Sequence, residues 1–113
     1  MSATTANPHE SAIAHVTGAA RYTDELAMPS GCLSMMPVLS TQAHARIVQL
    51  DVSAARLAEG VIDVITAADI PGLNDTGAIV HDEPLLPTTT VEFYGQALAW
   101  IVAKTDALAS SAA

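Results

Sequence analysis

Thiols are nearly absent, with one cysteine, Cys32, in 113 residues. A lone thiol excludes an internal disulfide, and iron-sulfur clusters and structural zinc sites draw on several Cys or Cys/His ligands. Cys32 therefore reads as a small packing residue. Basic side chains are almost as scarce: four Lys and Arg stand against twelve Asp and Glu, a net charge of -8. No basic stripe exists to neutralise phosphates, which argues against nucleic acid and against an anionic membrane surface as partners. Charge of either sign is short as well, 14% of residues against an apolar share of 50%, where an ordinary soluble domain carries about 25% charged residues. So thin a polar coat predicts that other domains or subunits cover part of the surface. Long apolar runs are missing too. The longest, Ala97 to Ala103, is far too short to cross a bilayer, and the opening Met1-Ser2-Ala3-Thr4-Thr5-Ala6 has neither the basic nor the apolar region of a secretory signal. The expected compartment is the cytoplasm.

What is present reads as one domain preceded by an arm. Residues 1–30 are small and polar, without sustained periodicity, and predict an extended N-terminal arm. Residues 31–113 predict an α/β domain, a small mixed sheet with two or three short helices. Its first strand, Cys32 to Leu39, contains Pro37, which removes a ladder donor and so marks an edge strand or a bulge. A second strand runs from Ala45 to Leu50. Ser53 to Glu59 is rich in helix formers, with Asp51 or Ser53 to cap its start and Gly60 to end it. Val61 to Ile65 returns as a β-branched run, so that strand, helix and strand suggest a parallel crossover unit. Thr66 to Ile70 reads as a capped single turn before Pro71. From there to about Thr90 the chain has no periodic pattern, and a loop of that length is usually functional or covered by something else. Val91 to Tyr94 predicts a short strand. Ala97 to Ala103 is apolar on both parities, the pattern of a central strand buried on both faces. Thr105 and Asp106 start a helix that stops without a C-cap glycine, as in a piece cut from a longer chain or at a frayed natural terminus.

Chemical signatures are few. The chain has no GxGxxG, Walker loop, CxxC or HExxH, so the familiar nucleotide, redox and zinc motifs are missing. His81-Asp82-Glu83, in the long loop, sets a histidine beside two carboxylates and offers an acid-base pair or metal ligands; adjacent residues on a loop more often diverge into solvent. His9-Glu10 with His15 forms a looser set. His44, before a strand, reads as a structural histidine, Arg46 as a partner for a carboxylate or a neighbouring domain. Trp100 reads as a core residue and Met35 and Met36 as core gap fillers.

Several phrases, in order along the chain, carry a resemblance to one known family. His9-Glu10-Ser11-Ala12 and the run from His15 through Val16-Thr17-Gly18 to Tyr22-Thr23-Asp24-Glu25 resemble its V-T-G-x-A-x-Y-T-D-D opening. Ser40-Thr41-Gln42-Ala43-His44-Ala45-Arg46-Ile47 resembles S-x-x-A-H-A-R-I. Gly60-Val61 and Thr66-Ala67-Ala68-Asp69-Ile70-Pro71-Gly72 resemble the P-G-V and T-A-x-D-I-P-G elements, and Tyr94-Gly95-Gln96 with Ile101-Val102-Ala103 the G-Q phrase and its apolar strand. Glu59 stands where the family usually has proline, Pro37 interrupts a strand normally free of it, and Ser110-Ser111 replace charged helix residues.

Together these phrases resemble the opening domain of the molybdenum-binding subunit in the aldehyde oxidase/xanthine dehydrogenase family, and the resemblance implies an α/β hammerhead domain over residues 31–113, truncated at its C-terminal side. In the complete enzyme it would be followed by segments that bind molybdopterin and molybdenum, with iron-sulfur clusters and FAD on partner domains or subunits. It also implies that the catalytic base, the purine-orienting groups and the cofactor ligands lie in those other segments. No catalytic, cofactor-binding or metal-binding residue is expected here, and the chain alone is expected to be inactive. Ile79 and Val80 fall where the family's substrate funnel would be lined; the alternative is that they anchor the loop in the core. Three functions remain open: the scaffold domain of a molybdenum hydroxylase (a xanthine dehydrogenase, or an aldehyde oxidase or carbon monoxide dehydrogenase), a stand-alone assembly module, or an independent enzyme using His81, Asp82 and Glu83.

Overall fold

The computed structural model describes residues 9–113, and the chain divides into two compact units, residues 1–30 and 31–113. Within the first unit a helix, α1, spans Ala12–Thr17, where the sequence predicts only an extended arm. Its apolar residues Ile13 and Val16 are exposed, so no buried stripe announces it. Local bonds hold it instead. Gly18 takes the left-handed conformation at φ 72° and its N-H reaches the Ala14 and His15 carbonyls, a geometry glycine adopts without a Cβ penalty. A single 3-10 turn follows at Thr23–Glu25, where Tyr22 N-H donates to the Glu25 carboxylate at 2.8 Å.

In the second unit the strands are β1 (Ser34–Leu39), β2 (Ala45–Arg46), β3 (Val61–Ile65), β4 (Thr90–Val91) and β5 (Ala97–Ala103), with helices α2 (Ser53–Leu57) and α3 (Asp106–Ala112). A three-stranded sheet has the order β1-β5-β3, with β5 antiparallel to both neighbours. The α/β class expected from the sequence holds, but the parallel crossover does not. β2 and β3 flank α2 without pairing. β1 and β3 run the same way and β5, the longest strand, lies between them and bonds to both. β2 is only two residues long and forms a separate antiparallel ladder with β4, Ala45 opposite Val91 and Arg46 opposite Thr90.

Pro37 sits as its missing N-H requires, on edge strand β1 opposite Trp100, and the register shifts between Val38 and Leu39. Alternation along β5 sends Ala99, Ile101 and Ala103 to one face. They are buried there with Val64 and Ala109, and Met36, Val38, Val52, Ala55, Val61 and Leu108 pack around them. Small side chains at Ala99, Ala103 and Ala109 let α3 approach the sheet closely. Burying Ile101 contributes roughly 1.5–3 kcal/mol relative to leaving it exposed.

The other face of β5 carries Leu98, Trp100 and Val102, which are only half-buried. The sequence predicts burial on both faces; the helices of this unit pack on one. Trp100 is therefore not in the core, and of the two methionines Met36 packs against the core while Met35 is 51% exposed. Cys32 is likewise exposed rather than packed.

Caps fix the ends. Asp51 Oδ1 accepts from Ser53 N-H at 2.9 Å and Ser53 Oγ at 2.6 Å at the start of α2, and Thr105 Oγ1 accepts from Leu108 N-H at the start of α3. Arg56 of α2 donates to the Val64 carbonyl at 2.8 Å and lies 3.4 Å from Asp63, tying helix to strand. After β3 comes a 3-10 turn, Ala67–Asp69. Among the described residues no helix is long and apolar enough to cross a membrane.

Candidate functional site

The long loop between that turn and β4 is a finger built from polar side chains. At its base the Asn74 carboxamide makes a paired bond to the Leu86 backbone, Nδ2 donating to its carbonyl at 2.6 Å and Oδ1 accepting from its N-H at 3.0 Å. This mimics one rung of a β-ladder. The next rung is Thr76, whose N-H and Oγ1-H both donate to the Glu83 carbonyl, at 2.8 and 3.1 Å. Leu86, 1% exposed, plugs the returning leg into the unit, and Pro87 beside it is buried.

Inside the bend Asp75 organises the tip. Its Oδ1 accepts from Gly77 N-H at 2.7 Å and its Oδ2 lies 3.1 Å from His81 Nδ1. A Cβ at Gly77 would overlap the Val80 carbonyl, so the chain closes this tightly only with glycine. The tip itself carries Ile79, 92% exposed, and Val80, 63% exposed. Neither anchors the loop; that role falls to Leu86.

His81-Asp82-Glu83 does not converge. His81 turns to Asp75, whereas Asp82 and Glu83 line an open cleft of about 590 Å³ together with Pro84, Leu85, Glu92, Phe93 and Gln96. Three carboxylates with no lysine or arginine among the lining residues repel a phosphate-bearing ligand. The residues present here thus do not fit the phosphate end of a pterin cofactor. Among the described residues no three His, Cys, Asp or Glu side chains gather in metal-binding geometry.

The remaining candidates have local partners. His9 Nδ1 lies 2.9 Å from Ser11 Oγ, while exposed His15 lies in the last turn of α1. His44 Nδ1 lies 3.3 Å from Glu92 Oε2, close to where Ala45 meets Val91. Arg46 lines a groove of about 410 Å³ with Leu39, Val48, Leu50 and Leu98. Sequence reasoning missed Asn74 and Asp75, and it quoted Ser40 and Gln96 without seeing that they meet. Asn74-Asp75 ahead of Gly77 is an Asx signal for a tight turn. Ser40 and Gln96 join the two segments: Ser40 N-H donates to the Gln96 carbonyl, Gly95 N-H to the Ser40 carbonyl, both at 2.9 Å, and Gln96 Oε1 accepts from Glu92 N-H at 2.8 Å. The phrases beginning at Ser40 and ending at Gln96, far apart in sequence, are thus one folded junction.

This fold recurs within larger oxidoreductases. It superposes on the crystal structure of the aldehyde oxidoreductase from Desulfovibrio desulfuricans with a TM-score of 0.81 at 34% identity, covering 93% of this chain and 13% of that one. The Cu,Mo-CO dehydrogenase superposes with a TM-score of 0.76 at 33% identity, covering 94% of this chain and 14% of that one. Residues 17–113 match the family described as aldehyde oxidase and xanthine dehydrogenase, a/b hammerhead domain. The chain belongs to that family. It is 41% identical over 105 residues to the xanthine dehydrogenase of Oryza sativa subsp. japonica and 39% identical over 106 residues to aldehyde oxidase 1 of Bos taurus. Each match covers 93% of this chain and 8% of the relative's length.

Proposed function

We propose that the chain serves as the hammerhead domain of a molybdenum hydroxylase of the xanthine dehydrogenase kind, which oxidises hypoxanthine and xanthine towards urate in the cytoplasm. Its contribution is scaffold, interdomain surface and, through the finger, one wall of the substrate funnel. The observation that carries this reading is the finger: apolar Ile79 and Val80 are held out in solvent on a loop braced at Asn74, Asp75 and Thr76, an arrangement that suits a contact surface. Molybdopterin with molybdenum supplies the oxidation and belongs to the rest of that subunit, with iron-sulfur clusters and FAD on partner domains or subunits. This chain's residues position and enclose; none of them transfers a proton or an electron. The stretch 1–30 serves as its N-terminal arm.

In an intact large subunit carrying this sequence, Ile79→Ser with Val80→Ser raises KM for xanthine roughly 10-fold, the scale of lost apolar contact in a substrate passage, while metal content stays unchanged. Unchanged KM for xanthine, hypoxanthine and aldehydes alike rules out the funnel role. The 113-residue chain alone is expected to oxidise none of them.

A further inference from the structure

The sheet of residues 31–113 distributes its apolar side chains in an unexpected way. The covered face of β5 holds Ala99, Ile101 and Ala103, two of them as small as alanine, whereas the bulkier Leu98, Trp100 and Val102 point to the face on which no helix of this unit packs. Register brings further apolar residues beside them. Met35 lies opposite Val102, and Pro37 and Ile65 lie opposite Trp100 from the two edges. Met35 on one edge strand and Ile62 on the other are 51% and 53% exposed. The one charge in register with this face, Asp63, is engaged locally, its Oδ1 accepting from Val64 N-H at 2.7 Å and lying 3.4 Å from Arg56 Nη1. Beyond Leu98 the face runs into the groove lined by Leu39, Val48 and Leu50, with Arg46 at its margin.

A strand apolar on both parities is the mark of a sheet covered on both sides, and the helices of this unit supply one cover. Relatives that match nearly all of this chain are about twelve times its length, since it spans 8% of them, and the solved neighbours that share its fold place it within 13–14% of their chains. We infer that the Leu98, Trp100 and Val102 face is where the remainder of the large subunit docks, through an apolar element that lies across Met35, Trp100 and Val102 and inserts a side chain into the Leu98 groove. This rests on the function proposed above and specifies the surface that performs it. Arg46 at the groove margin calls for a carboxylate or a carbonyl on that element.

Met35→Cys, in a Cys32→Ser background, tests the face by maleimide labelling read by mass spectrometry of the peptide. It is compared in the 113-residue chain and in a xanthine dehydrogenase large subunit in which residues 17–113 of this chain replace the matching segment. The expected result is fast labelling of the isolated chain, at least 10-fold protection in the large subunit, and fast labelling of Ile79→Cys in both. Val102→Glu, which leaves the helix-covered face untouched, is expected to remove the protection while far-UV circular dichroism of the isolated chain is unchanged. If the substituted subunit assembles and turns over xanthine but Met35→Cys is labelled as fast as in the isolated chain, this docking face is wrong and the functional proposal stands. A substituted subunit that assembles yet turns over neither purine nor aldehyde counts against the functional proposal, and protection of Met35→Cys there still supports the face; one that does not assemble overturns both. Protection already present in the isolated chain overturns the face as well, as a self-cover if independent of concentration and as a contact between copies if it grows with concentration.

Discussion

Ile101 and Ile79 are the same residue type in the same unit, one fully buried at the centre of the sheet and the other 92% exposed at the tip of the finger. Around Ile101, order comes from apolar side chains: Val64, Ala99, Ala103 and Ala109 close the space, and Met36 and Val38 pack from β1. Around Ile79 it comes from polar groups. Asn74, Asp75 and Thr76 brace the finger by bonds to backbone, and buried Leu86, with Pro87 beside it, is its apolar anchor. One region is held by area removed from water and the other by a few directed bonds, so the two should fail differently when broken.

The largest effect is expected at the sheet. Ile101→Ala leaves a cavity among residues that cannot collapse to fill it and should cost about 2–5 kcal/mol in a urea titration, whereas Ile79→Ala should stay within about 0.5 kcal/mol. Comparable costs at the two positions would erase the distinction. Next in size is Asn74→Ala. It strips both bonds from Leu86, leaving that backbone donor and acceptor without their partners, and should cost about 1–3 kcal/mol. Amide exchange at Leu86 and Thr76 should quicken, while Ile101 keeps its protection relative to global unfolding. If exchange accelerates equally throughout, the finger is not a separately held element.

The same contrast explains what could be read from the sequence. Where burial organises the chain, periodicity reported it: β3 and β5 fall where the apolar runs place them, α3 starts at its Thr105-Asp106 signal, and Pro37 marks an edge strand with a bulge. Where local polar bonds do the organising, the pattern of apolar residues was silent. Helix α1 has no buried residue and closes on Gly18, and the finger's braces are single polar side chains bonding backbone within the same loop, Asn74 with Leu86 and Thr76 with Glu83, which leave no apolar period. Pairing was misread for a third reason. A strand-helix-strand order fits either a parallel crossover or the insertion of a later strand, and only the position of β5 decides. Trp100 was assigned to the core because both parities of β5 are apolar, a pattern equally produced when the second cover comes from outside the unit. For the site, His81, Asp82 and Glu83 were visible as residue types, but their divergence depends on Asp75 drawing His81 to the other side of the bend.

Acid should distinguish the two ends of the α2-β3 segment, Asp51 before it and Asp69 after it, from the apolar core with the smallest effect of the series. Asp69 accepts from Thr66 N-H at 2.8 Å and from its Oγ1 at 2.7 Å, bonds that hold the carboxyl below its ordinary value of 3.8, with Arg56 at 3.8 Å a lesser contribution. Asp51 is lowered likewise, by the Ser53 hydroxyl first and then the Ser53 N-H. A carboxyl whose folded pKa lies below its unfolded one stabilises the fold fully above the unfolded value, and that stabilisation is lost as pH falls through the folded value. Stability should therefore be level across neutral pH with respect to these groups and decline only on acidification below about pH 4. Asp69→Asn removes one of the two contributions, so the decline measured by urea midpoints between pH 5 and pH 2.5 should become shallower. Both groups are at the surface and the difference should be small. An unchanged acid slope would mean that Thr66 bonds the carboxyl no more strongly in the folded chain than water does in the unfolded one.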